Sequence, residues 1–134
     1  MLDINAVHEQ PTATIDILHP VTQAPLGAQV TLAGPEHPDR KRIQFARQRR
    51  ARAAFAKRGR LEFDDPEDEL QDEIDYLAAC TLGWTGIAKD GTLIEHSKAA
   101  ARDLYAKPEM RWLRVQLAAA LNDLENFIVT SGSD

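Results

Sequence analysis

Residues 40–75 read RKRIQFARQRRARAAFAKRGRLEFDDPEDELQDEID, and this stretch organises the whole chain. Ten basic residues and no acidic one lie between Arg40 and Arg60; nine acidic residues and no basic one follow between Leu61 and Asp75. The formal net charge of −5 therefore conceals a strongly positive block joined directly to a strongly negative one. Segregated charge of this kind reports on partners more than on chemistry. Gln, Arg and Ala dominate the basic block and no proline interrupts it, which predicts a helix over 39–58. On a helical wheel its cations fall on every side, and Ile43, Phe45 and Phe55 do not share a face. A helix polar all round bridges through solvent or leans on charge partners.

The acidic block predicts a second helix, over 66–82. Asp65 is an N-cap candidate and Pro66 suits the first helical position. Glu67, Asp68 and Glu69 sit where the helix dipole favours negative charge. Leu70, Ile74, Leu77 and Thr81 form one narrow apolar stripe.

Upstream, residues 1–12 read as a flexible arm. Residues 13–33 read as an antiparallel hairpin, with Ile15 and Ile17 alternating in one strand and Val30 and Leu32 in the other. Downstream, Leu82-Gly83-Trp84-Thr85-Gly86-Ile87 reads as a break that anchors Trp84. Ser97 caps a short helix, and Pro108 opens the longest one, running to about Val129. Met110, Leu113, Leu117, Leu121, Leu124 and Ile128 line its core side. Trp112, Val115 and Ala119 form a second patch opposite, facing either a client or the underside of the hairpin. Residues 130–134 read as a frayed tail. The expected fold is one α+β domain over 13–129, predominantly helical, with a hairpin followed by about four helices, the last of them over 97–129.

Function classes narrow by elimination. No run of about eighteen apolar residues is present to span a membrane, and the opening residues lack a secretory signal. The one cysteine, Cys80, lies in an apolar helical context and reads as a buried thiol, which suits a reducing cytoplasm. His8, His19, His37 and His96 have no metal-ligand spacing, so neither a metal nor a cofactor is expected. No nucleophile–base constellation points to catalysis. The basic block could neutralise phosphates while Phe45 or Phe55 stacks on bases, but the acids that follow would repel a polyanion. Protein contact is the preferred reading, with Arg47, Arg49, Arg50 and Arg52 meeting Glu67, Asp68 and Asp72 of a neighbouring copy, and Trp112 and Val115 meeting a client.

Several short motifs, in order, carry a resemblance. They are His19-Pro20-Val21-Thr22, Pro25-Leu26-Gly27, Val30-Thr31-Leu32-Ala33-Gly34-Pro35, Gly83-Trp84-Thr85-Gly86-Ile87 and Asp123-Leu124-Glu125-Asn126-Phe127. Together they resemble the tail assembly chaperones of long-tailed, lambda-like bacteriophages and prophages. The likeness spans roughly Ile15 to Phe127. It implies a non-enzymatic protein of the host bacterial cytoplasm, absent from the mature virion. Such a protein self-associates, coats the tape measure protein and helps recruit tail tube protein. In many relatives a ribosomal frameshift appends a second domain. The competing class is a nucleic-acid-binding or virion structural (tail or connector) protein that uses the helix within residues 40–60.

Overall fold

The computed structural model describes residues 1–58 and 65–130. Two short runs in the first part of the chain, β2 (Thr12–Leu18) and β3 (Pro25–Ala33), pair antiparallel with Ile15 opposite Val30 and Ala13 opposite Leu32. This is the hairpin expected from alternation. Ile17, Ala28, Val30 and Leu32 are buried on one face. On the other face Thr14 meets Thr31 at 2.9 Å, and Gln29 donates to Asp16 at 3.0 Å. One covered face and one wet face is the usual arrangement for an antiparallel sheet.

The hairpin gains a third strand. β4 (Thr81–Thr85) pairs along β3, with Val30 opposite Trp84, so β3 is the centre of the sheet. Here the expected break after residue 82 is corrected. Glycine is depleted in strands, so Gly83 disguised this one. The long helix expected over 66–82 is correspondingly shorter, α2 (Pro66–Cys80). It passes into β4 without a loop, and Thr81 takes extended backbone angles. Pro66 does occupy the first turn, but the Asp65 carboxylate makes no capping hydrogen bond.

Three helices cover the sheet's inner face. α2 contributes Ile74, Leu77, Ala78 and Cys80; α3 (Lys98–Ala106) contributes Ala101 and Tyr105; α4 (Arg111–Asn122) contributes Leu113, Leu117 and Leu121 at four-residue spacing. Ser97 caps α3 as expected, accepting from the Ala100 N–H at 2.9 Å. The Lys98 ammonium donates to the Ala79 and Thr81 carbonyls, at 2.9 and 2.8 Å. It thereby binds the carbonyl end of α2 and the first residue of β4, where the helix dipole favours a cation. Burial pulls the Lys98 pKa below its ordinary value.

The last helix does not reach Val129. Asp123 turns extended after Asn122, its carboxylate accepts from the Glu125 N–H at 3.1 Å, and a 3-10 turn over Leu124–Phe127 follows. Leu124 therefore leaves the expected core stripe and is 49% exposed. Ile128–Thr130 forms β7, which pairs antiparallel with β1 (Val7–Glu9). The arm expected over residues 1–12 is thus pinned at 7–9, and Thr130, expected in a frayed end, lies in a strand. The rest of that end, residues 131–134, lies outside the described residues. Gly34 lets the two layers meet: its N–H donates to the Pro11 carbonyl at 2.7 Å, and a Cβ there would sit 2.8 Å from the Gln10 oxygen.

α1 (Pro38–Arg58) is the longest helix among the described residues and packs along α2. A small ribbon of β5 (Ala88–Lys89) and β6 (Thr92–Leu93) completes the fold. With 51% helix and 25% strand among the described residues the α+β class holds, and the strand share exceeds what one hairpin would supply. No helix among the described residues is long and apolar enough to cross a membrane.

Candidate interaction surface

α1 starts where His37 supplies the cap: its Nδ1 accepts from the Asp39 N–H at 3.1 Å, and its carbonyl accepts from the Lys41 N–H at 2.9 Å. One turn later the basic block divides into two faces. Arg40, Ile43, Arg47, Arg50 and Ala54 recur at alternating three- and four-residue steps, the spacing of a helical seam. Each has an inward role or is at least partly shielded, except that Arg50 reaches across from an exposed position.

Arg40 is only 5% exposed although it is charged. Its Nε donates to the Tyr76 hydroxyl at 3.1 Å, and its two terminal nitrogens donate to the Ala33 carbonyl at 3.1 Å and the Leu121 carbonyl at 3.0 Å. Its guanidinium also lies 5.8 Å from the Phe127 ring centroid. One side chain thus ties together the end of β3, α2 and the last turn of α4. A planar fork with five donors is suited to this in a way an ammonium is not.

Arg47 and Arg50 converge on Asp72 of α2. Arg47 lies 2.6 Å from one carboxylate oxygen and Arg50 lies 2.9 Å from the other. Arg47 also stacks 4.5 Å from the Tyr76 ring centroid. Tyr76 accepts a further hydrogen bond from the Gln44 amide at 3.2 Å, so it anchors the seam from the α2 side. Beneath it, burial pushes the Cys80 thiol pKa up, partly offset by the Arg40 charge.

The second face of α1 points away from α2. Arg49 and Arg52 are exposed and make no ion pair with another described residue. Phe45 and Phe55 flank them, 47% and 53% exposed. Across the α1–α2 pair, Glu67, Asp68 and Glu69 are exposed in the first turn of α2, with Leu70 42% exposed beside them. Aromatic side chains with arginine are the residues that most often dominate protein interfaces.

The structure therefore redistributes the expected contact set. Arg47, Arg50 and Asp72 are engaged within one chain. Arg49, Arg52, Glu67 and Asp68 stay available at the surface. Arg60, Glu62 and Asp64, which extend the two charge blocks, lie outside the described residues. Trp112 and Val115 part company: Val115 is 53% exposed, while Trp112 is half-buried and packs against the core. Sequence reasoning missed Arg40 and Tyr76 as structural anchors, although the 40/43/47/50/54 spacing was a usable signal.

Among the described residues no three His, Cys, Asp or Glu side chains gather to hold a metal ion. Trp84 donates its indole N–H to the Ile94 carbonyl at 2.8 Å and meets the His96 ring edge-on at 5.0 Å, so both belong to the anchoring of the β5–β6 ribbon. No protein-family model, no curated protein and no solved structure matches this chain.

Proposed function

We propose that this protein is a tail assembly chaperone of a long-tailed bacteriophage or prophage, acting without catalysis in the host cytoplasm. It self-associates, coats the tape measure protein and helps recruit tail tube protein. The observation that carries the reading is the outward face of α1, where Arg49 and Arg52 stand exposed between Phe45 and Phe55 with no acidic residue on the same helix beyond Asp39. Such a face suits an acidic, amphipathic surface, including the Glu67–Glu69 turn of a second copy. Charge steers the encounter, and the phenylalanines supply the desolvated area that charge alone does not.

The test is reversal of Arg49 and Arg52 to Glu. Both are exposed, so stability should stay within about 0.5 kcal/mol of the parent. Self-association in low salt, followed by analytical ultracentrifugation, should weaken, and co-purification of the tape measure protein should fall. Sedimentation unchanged by the reversal at low and high salt, with tape measure capture intact or absent in both proteins, would overturn the proposal. Tight, salt-sensitive binding of single-stranded DNA by the parent alone would instead favour the nucleic-acid reading of the same cations.

A further inference from the structure

A cavity of about 370 Å³ opens at the end of the sheet remote from Gly34, between the hairpin, the β5–β6 ribbon and the start of α4. Ile17, Leu26, Ile87, Met110 and Trp112 form its apolar walls. Lys89, Lys107 and Glu109 also line it, leaving one net positive charge. This volume and composition fall in the range of ligand-binding pockets, in which apolar walls carry a few polar groups. Leu26, at its edge, is 48% exposed.

The segment before β1 is the chemical counterpart of this cavity. Leu2 and Ile4 are 76% and 79% exposed, and Asp3 stands between them. Apolar, acidic, apolar is the order that fits apolar walls bordered by lysines. We propose that the cavity receives Leu2–Ile4 of a second copy of this chain, with Leu2 and Ile4 against Leu26 and Trp112 and with Asp3 facing Lys89 and Lys107.

Geometry favours a second copy over the chain's own segment. The β1–β7 ribbon joins the sheet beside Gly34, through the Gln10 N–H donating to the Phe127 carbonyl at 2.7 Å. The cavity lies at the other end of β2, where Ile17 is about 17 Å from Thr12 at the usual rise per strand residue. Ile4 lies only three residues before the pinned Val7, a reach of at most about 10 Å when fully extended. The segment is turned instead, with the Ala6 N–H donating to the Asp3 carbonyl at 2.9 Å and the Asn5 N–H to the Asp3 carboxylate at 3.0 Å. Donor and acceptor surfaces at opposite ends of one chain make a heterologous, head-to-tail contact, which propagates or closes into a ring. The inference deepens the self-association proposed above but uses neither face of α1.

The experiment is a mixing test on the full chain in about 0.5 M salt, where ionic contacts of exposed α1 side chains are screened. One variant carries Leu2→Asp and Ile4→Asp, with its cavity intact. The other carries Leu26→Asp, with its segment intact. Each alone should sediment as a monomer at concentrations where the parent associates, and an equimolar mixture should shift to a dimer. The charge pair is read in low salt on the Arg49→Glu/Arg52→Glu background: Asp3→Lys and Lys89→Glu/Lys107→Glu should each associate more weakly alone, and their mixture should recover association, because every segment then meets a cavity of opposite charge. Association of either apolar variant alone like the parent, or failure of both mixtures to recover association, would overturn the inference. Insensitivity to the Arg49 and Arg52 reversal in low salt would instead count against the α1 reading, so the two failures are separable.

Discussion

Replacing Arg40 with Ala separates a cation that holds the fold from the cations around it. In sequence Arg40 is one of ten in the basic block and is not distinguished from Arg49. In the structure it fills three acceptors in a site 5% exposed: the Tyr76 hydroxyl and the carbonyls of Ala33 and Leu121. Both carbonyls belong to buried residues, Ala33 at 0% and Leu121 at 2% exposed. A buried acceptor left unsatisfied costs about 1–3 kcal/mol, so the pair predicts a loss of about 4 kcal/mol. For a chain of this length, that corresponds to a fall in melting temperature of roughly 15 °C. Arg40→Lys should recover only part of the loss, because one ammonium cannot reach acceptors on β3, α2 and α4 together. Arg49→Ala, on the outward face, should stay within about 0.5 kcal/mol of the parent. Thermal and urea denaturation followed by circular dichroism measure all three. An Arg40→Ala protein within about 1 kcal/mol of the parent would refute the clamp.

Two further outcomes follow from the geometry. The Tyr105 hydroxyl is buried 2.8 Å from Thr81 Oγ1, whose own proton goes to the Leu77 carbonyl, so Tyr105 is the donor. Burial pushes its pKa up to about 12. The folded state therefore holds this proton more tightly than the unfolded chain, and the stabilisation is complete below about pH 10. It is lost as pH rises from about 10 towards 12, on the order of 2–3 kcal/mol in all; Tyr105→Phe should flatten that alkaline limb in urea denaturation series, and an unchanged limb would contradict the assignment. Asp72→Asn should release Arg47 and Arg50 together and cost about 1 kcal/mol in low salt, with the loss shrinking in high salt because the pairs are partly exposed. A salt-independent loss measured by denaturation would place the effect in packing rather than charge.

The hairpin, the capped α3 and the buried side of α4 were legible in the sequence because each obeys a local rule. Alternation at Ile15, Ile17, Val30 and Leu32 needs only a two-residue period, and Leu113, Leu117 and Leu121 need only a helical one. Ser97 acts within three residues of itself, through the Ala100 N–H. The bipolar charge was equally plain, and it marked the two segments that become α1 and α2.

Only tertiary structure decided what those charges do. Whether an arginine faces Asp72 or solvent depends on which side of α1 meets α2, and composition carries no trace of that choice. Arg40 became structural because its fork meets carbonyls 7 and 81 residues away, a coincidence of packing. The strands β1, β4 and β7 were hidden for a related reason. Each is five residues or fewer, and each is held by backbone partners distant in sequence rather than by a pattern of its own. Short-range chemistry set the periods of the elements; long-range pairing set which cations were consumed by the fold and which were left at the surface.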